Sequence, residues 1–328
     1  MPKRTPSNRG GGTISATMRS AGTTGWREAS DTGSGAGLAE DMLDTIIKPT
    51  VRGKLGRMRR LLPPVSPADS PSDREAGPGL TTPDGEVDLD AVYAYPEDVV
   101  GAGRPWLRAN MVESLDGASQ AGDGLSAGLS SPGDKKIFGV LRGLADVVLV
   151  GASTVRAEGY RPPQPKAAYA AAREAAGRAT VPVIAIVSRS LELDLTAPLF
   201  TEAIVPTVVL TGPDADPERL AAARKAADVI VAGPPGATGV DPGAAVDALA
   251  ARGWTRLLTE GGPHLLGQLA SAGRVDELCL ALSPQLAGGT ARRILAGTDP
   301  MVPQPMELRT LLEDDGFLFA RYVRHSDR

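Results

Sequence analysis

The stretch Arg256-Leu-Leu-Thr-Glu-Gly-Gly262 is a short apolar run that ends in a carboxylate and two glycines. A glycine pair removes the Cβ atoms that would keep a phosphate away from the backbone. Pro263 then suits the first position of a helix, where a missing N–H costs nothing. Gly151-Ala152-Ser153-Thr154 repeats the arrangement after a second apolar run, with a hydroxyl at Thr154 and a guanidinium at Arg156 to meet phosphate oxygens. A pair of glycines alone is equally a tight corner; two phosphate-ready corners favour a dinucleotide. Glu260 could hold a polar substrate group or move a proton, or could merely face a helix dipole. Asp116, inside Ser114-Leu-Asp-Gly117, has the same double reading, because Asp-Gly is first a turn signal.

These residues need a frame that brings strand ends together. Residues 106–112, 146–151, 181–188, 206–212, 228–233 and 256–262 are short runs rich in Val, Ile or Leu, and most of those after the first end at a glycine. Ala-rich helical stretches at 167–178, 217–227, 242–252 and 263–272 separate most of them. Ser131-Pro132-Gly133-Asp134 opens a further helix with an N-cap serine and a first-turn acid, followed by Ile137, Phe138, Leu141 and Leu144 at helical spacing. Continuous rather than alternating apolar character predicts strands covered on both faces, hence a mainly parallel α/β sheet flanked by helices on both faces. Residues 275–284 and 317–324 alternate more and predict an antiparallel C-terminal hairpin on a mixed sheet, with irregular chain and Met306-Glu-Leu-Arg-Thr-Leu-Leu312 between them.

Bulk properties narrow the chemistry. Residues 1–60 hold 11 Lys/Arg against 5 Asp/Glu, out of 35 and 39 in the chain, so the remainder carries −10 and disfavours a nucleic-acid surface. A single cysteine, Cys279, leaves no internal disulfide and no multi-cysteine zinc site, and suits a reducing cytoplasm. On its strand Cys279 reads as a small buried residue. No run approaches the roughly 18 apolar residues of a membrane span, and Arg59-Arg60 is followed by Leu61-Leu62-Pro63-Pro64 rather than an export segment. The Gly33-Ser-Gly-Ala-Gly37 segment has Leu38 where a third glycine belongs and no strand before it, so it reads as linker rather than dinucleotide fingerprint.

Together, Asn110-Met-Val-Glu-Ser-Leu-Asp-Gly-Ala118, the block 145–162, the strand end 186–190 and the block 259–289 resemble the RibD C-terminal domain family of pyrimidine reductases. The resemblance covers about residues 104–325 and implies a dihydrofolate-reductase-like fold, NADPH as cofactor and a place in riboflavin biosynthesis. It implies that Gly151, Ala152, Thr154 and Arg156 form one nucleotide-binding corner and Gly261 and Gly262 the pyrophosphate turn. Ser188 and Arg189 match the place where the family meets the adenosine ribose and its 2′-phosphate, with Thr211-Gly212 as a weaker adenine contact. Ser114, Asp116 and Glu260 match polar pocket positions, Asp116 and Glu260 being the candidates for proton transfer, directly or through a water. Tyr160 and Arg161 stand where relatives more often carry an acidic-Pro segment, and could hold a ring or a phosphate. Asn110 replaces a lysine common in bifunctional members. By the same resemblance the substrate is 5-amino-6-(5-phosphoribosylamino)uracil, reduced at C1′ of its ring-opened ribosylamino group.

One cysteine and two histidines, His264 and His325, cannot build the zinc deaminase of the bifunctional members, so a reductase without metal is expected. His264 reads as a solvated or capping residue. Residues 1–57 read as a disordered leader or an over-called gene start, whose deletion should leave activity intact; 58–103 read as an extended segment and 104–328 as the reductase domain. A homodimer through the sheet-edge region is implied, with the alternating C-terminal strand as the place to look. A dihydrofolate or pterin reductase of the same fold and a non-catalytic NADP-binding sensor are the alternatives, whereas a Rossmann dehydrogenase lacks its Gly-x-Gly-x-x-Gly after the first strand.

Overall fold

The apolar runs form strands that bury both faces. The computed structural model describes residues 58–62, 87–297 and 300–325, and the leader 1–57 lies outside them. Ten strands form one sheet: β1 (Arg59–Leu62), β2 (Trp106–Ser114), β3 (Val147–Gly151), β4 (Val183–Val187), β5 (Val208–Thr211), β6 (Asp228–Val231), β7 (Arg256–Thr259), β8 (Glu277–Ser283), β9 (Met306–Asp314) and β10 (Phe317–Arg324). Along the sheet they run β1-β9-β10-β8-β2-β7-β3-β4-β5-β6. From β8 to β6 every neighbouring pair is parallel; β10 is antiparallel to β8 and β9, and β1 to β9.

The helices are α1 (Leu89–Val92), α2 (Glu97–Val100), α3 (Pro132–Leu144), α4 (Ala152–Ala157), α5 (Ala167–Ala175), α6 (Pro198–Thr201), α7 (Pro217–Ala226), α8 (Pro242–Ala250) and α9 (Pro263–Ser271). In β3, Val148 and Val150 join one core with Ile137, Val140 and Leu141 of α3. Val147 and Leu149 join the opposite core with Val246 and Leu249 of α8 and Leu265, Leu266 and Leu269 of α9. This two-sided burial is why the strand reads as an uninterrupted apolar run. Ser131 caps α3 as its type predicts, its Oγ accepting the Asp134 N–H at 3.1 Å.

Three features depart from the expectations. Residues 306–314, whose Met306–Leu312 stretch is assigned no element in the sequence, form β9, and the tight β9–β10 turn places Asp315 and Gly316 at φ 50° and 82°. Only Thr310 and Leu312 of β9 are buried, so the strand carries little of the apolar signature that marks the central ones. The predicted antiparallel pairing of 275–284 with 317–324 is present as β8–β10. It places β10 inside the sheet, and among the described residues β1 is the outer strand on that side. Finally, the segment read as extended contains β1, α1 and α2. Its Tyr93 and Tyr95 are buried against an ion cluster in which Arg108 and Glu277, both 0% exposed, meet at 2.7 Å and Arg321 joins Glu277 at 2.8 Å.

Candidate active site

Helical spacing places Asp134, Phe138 and Arg142 of α3 in one row, four residues apart, while Ile137 and Leu141 turn into the core. That row lines a cavity of about 600 Å³ whose walls also include Asn110, Ser130, Lys135, Thr154, Tyr160, Arg161, Glu260 and Gly262. The carboxyl ends of β2, β3 and β7 thus open onto one space, as parallel α/β sheets arrange their ligand sites.

Glu260 sits at its centre with a side chain 4% exposed. Arg142 donates from Nε and Nη2 to its two oxygens at 2.7 Å each, and the Tyr160 hydroxyl donates to Oε2. The Arg142 guanidinium lies 4.3 Å from the Phe138 ring centre and 5.3 Å from that of Tyr160. Burial opposes its charge, and Glu260 more than offsets that burial. Burial also pushes the Tyr160 phenol well above its ordinary value, and the neighbouring carboxylate adds to the effect, so Tyr160 keeps its proton. Fixed donors and a planar fork make this a rigid charged surface inside a half-apolar cavity.

The cavity wall holds two further carboxylates, the exposed Glu158 and the more buried Asp134. Ser130 Oγ donates to Asp134 Oδ2 at 2.6 Å, and burial raises the Asp134 carboxyl above the ordinary range. Lys135 and Arg161 are exposed at the cavity wall, and neither takes part in an ion pair among the described residues.

The glycine corners lie beside this space. Gly151 donates its N–H to Gly261 O at 2.9 Å, joining the β3–α4 and β7–α9 corners, and the Gly261–Gly262 peptide is cis. A Cβ at Gly262 would stand 2.6 Å from Thr154 Oγ1, and one at Gly261, where φ is 80°, 3.2 Å from Met111 Sδ. Gly261 thus disfavours a side chain by conformation, and Gly262 excludes one by its contact with Thr154. Farther along the sheet, Ser188 is buried and accepts the Leu191 N–H at 3.1 Å, Arg189 is exposed, and the Thr211 hydroxyl is buried with no partner.

The predicted site residues thus separate into groups. Asn110, Thr154, Tyr160, Arg161, Glu260 and Gly262 share the cavity; Gly151 and Gly261 support its floor, and Ala152 begins α4 behind them. Ser114 and Asp116 do not line it. Ser114 Oγ donates to Asp116, which also accepts the N–H groups of Ala287 at 3.0 Å and Gly288 at 2.7 Å. The Ser114 hydroxyl and these two amides hold the exposed Asp116 carboxyl down to about 2, below the ordinary carboxylate range. Arg156 donates to Glu192 O at 2.9 Å and braces the loop after β4. His264 is exposed and Cys279 buried. Sequence reasoning missed Asp134, Phe138 and Arg142. Their only signal is a second polar-aromatic row alternating with the apolar one on α3.

Among the described residues no group of three His, Cys, Asp or Glu could hold a metal ion, and no helix is long and apolar enough to cross a membrane. Residues 105–314 match the RibD C-terminal domain. The chain is 32% identical over 203 residues to the 2,5-diamino-6-ribosylamino-4(3H)-pyrimidinone 5′-phosphate reductase of Methanothermobacter thermautotrophicus, covering 60% of this chain and 88% of that one. The enzyme of the same name from Archaeoglobus fulgidus is 29% identical over 57% of this chain and 83% of its own length. Among solved structures, a pyrimidine reductase-like protein from Corynebacterium diphtheriae superposes with a TM-score of 0.65 at 29% identity, over 73% of this chain and 99% of that one.

Proposed function

The chain belongs to the RibD C-terminal domain family, and from that premise we propose that it is an NADPH-dependent reductase of a phosphorylated ribosylaminopyrimidine. The observation that carries the proposal is that Thr154 and Gly262, from the two joined glycine corners, line the same cavity as the fixed Glu260–Arg142–Tyr160 group. A backbone suited to phosphate and a substrate chamber with a fixed polar group then share a wall, as a two-substrate transfer requires.

The residues fit a dinucleotide. Gly261 and Gly262 leave a backbone cradle that any Cβ would fill, and Thr154 adds a hydroxyl at its rim. Ser188 and Arg189 lie at the end of β4, where a guanidinium suits the extra phosphate that distinguishes NADPH from NADH. The reduced nicotinamide supplies a hydride. Conversion of a ribosylamino to a ribitylamino group also takes up one proton at the ring oxygen. Tyr160 Oη, protonated and hydrogen-bonded to Glu260, is a cavity hydroxyl placed to deliver that proton, which solvent then restores. Arg142 keeps Glu260 fixed. Lys135 and Arg161 supply cations for the substrate phosphate, replacing the lysine that Asn110 lacks. A homodimer and a cytoplasmic location complete the proposal.

The test offers the purified chain NADPH with the ribosylaminopyrimidine phosphate or with dihydrofolate and follows cofactor oxidation by its near-ultraviolet absorbance. Turnover of the pyrimidine is expected. Turnover of dihydrofolate alone would overturn the substrate, and oxidation with neither would leave a binding protein.

A further inference from the structure

Arg189 stands just past the end of β4, exposed and without an ion-pair partner among the described residues. Its apolar stem is not free. Gly239, in the loop between β6 and α8, lies against it: a Cβ built on Gly239 would stand 3.3 Å from Arg189 Cδ and 3.8 Å from its Cγ. Gly239 is buried and has a φ of 75°, so a side chain there would be strained and would crowd the arginine stem. The loop that carries this shelf is itself fixed at three points. Asp241 N–H closes its base on Ala232 O at 3.0 Å, Asp214 Oδ1 accepts the Gly239 N–H at 2.8 Å, and Gly239 O packs so closely on Gly212 that a Cβ at 212 would collide with it.

Such a shelf matters to a phosphate. An arginine free in solvent gives up much of its rotamer freedom when a ligand fixes it. A stem already resting on backbone has lost part of that freedom before the ligand arrives, and its guanidinium is held beyond the carboxyl end of β4, where parallel sheets present ligands. Resting on the reductase reading above, we propose that Asp214 and Gly239 are positioning residues for cofactor choice. Through Arg189, the β6–α8 loop selects a dinucleotide that carries a 2′-phosphate over one that carries a free 2′-hydroxyl. Asp214 contributes an acceptor for the Gly239 N–H, which the amide oxygen of an asparagine also supplies, and not its charge. NADPH and NADH differ at the 2′ position alone, so a corner that serves only the fold, or the dinucleotide as a whole, treats them alike.

The experiment titrates NADPH and NADH, followed by cofactor fluorescence, into wild type, Asp214→Ala, Asp214→Asn, Gly239→Ala, Arg189→Ala and the Asp214→Ala/Arg189→Ala double variant, with a melting temperature for each. Asp214→Ala and Gly239→Ala should weaken NADPH about fivefold, short of the roughly tenfold loss of the guanidinium itself, and change NADH less than about twofold. Asp214→Asn should bind both as wild type does. In the double variant the NADPH loss should equal that of Arg189→Ala alone, because residues acting through one contact are not additive. Equal losses for NADPH and NADH in Asp214→Ala and Gly239→Ala, losses that add in full in the double variant, or an Asp214→Asn as weak as Asp214→Ala would each overturn the positioning role. An unchanged ratio of NADPH to NADH affinity in Arg189→Ala would overturn it too, by moving the 2′-phosphate elsewhere, yet leave the reductase reading standing. Wild type that binds neither dinucleotide would overturn both.

Discussion

Arg142 on α3 and Glu260 at the end of β7 are 118 residues apart in sequence and meet through two hydrogen bonds of 2.7 Å. The helix thereby carries the counter-charge for a carboxylate presented by the sheet. Glu260→Gln keeps the shape and removes the charge and half of the acceptor capacity. Turnover should fall at least about 100-fold, the range for loss of a proton-transfer group, with NADPH affinity changed less than about threefold. Rates and a fluorescence titration read the two quantities; undiminished turnover would remove Glu260 from the mechanism.

Gly262→Ala tests the cradle. The new methyl would enter a gap of 2.6 Å to Thr154 Oγ1, closing the surface expected to meet the pyrophosphate. NADPH should bind at least about tenfold more weakly, a change of about 1.4 kcal/mol. A lowered melting temperature with unchanged affinity would instead make the corner purely structural.

The fold and the site were legible in the sequence to different depths. The strands β3, β4, β5 and β7 announced themselves because both faces are covered, and the glycine corners because they punctuate those runs. Strand β9 did not, because it shows a weak apolar pattern of its own. Within the site, Glu260 and Tyr160 could be read from their places in short motifs. Arg142 could not: its meaning lies in a contact with β7, and on α3 alone it is an ordinary last-turn basic residue. Asp116 is the opposite case: its Asp-Gly turn motif stands out in the sequence, and the structure gives it loop-anchoring hydrogen bonds outside the cavity lining.

Asp116→Asn follows from that last point. Residue 116 lies outside the cavity lining, so turnover should stay within about threefold of wild type, far from the 100-fold or larger loss of an acid–base group. The amides of Ala287 and Gly288 should exchange with solvent faster, because each donates to this carboxylate. A loss of two orders of magnitude in rate would restore Asp116 to the chemistry.

Arg189 is exposed at the end of β4 and has no ion-pair partner among the described residues. An unpaired guanidinium there is suited to the 2′-phosphate of NADPH. Arg189→Ala should raise the KM for NADPH about tenfold and leave that for NADH unchanged, as expected for one charge-assisted phosphate contact. Parallel losses for both cofactors would place the 2′-phosphate elsewhere.

The Arg108–Glu277–Arg321 cluster ties β2, β8 and β10 together and receives Trp106 Nε1 on Glu277 at 2.9 Å. Burial alone would push the Glu277 carboxyl up; the two guanidinium groups outweigh it and hold it down to about 2, against an ordinary 4.5. A depressed folded-state value means that the charged form stabilises the fold fully above about pH 4.5. That contribution is lost as pH falls toward 2. Glu277→Gln leaves two buried guanidinium groups without their counter-charge and should cost about 3–5 kcal/mol near neutrality. Urea unfolding of both proteins from pH 6 down to about 2 should show the gap between them narrowing as the wild-type carboxylate takes up its proton. A gap that is constant with pH would mean that Glu277 contributes through packing and neutral hydrogen bonds, and not through its charge.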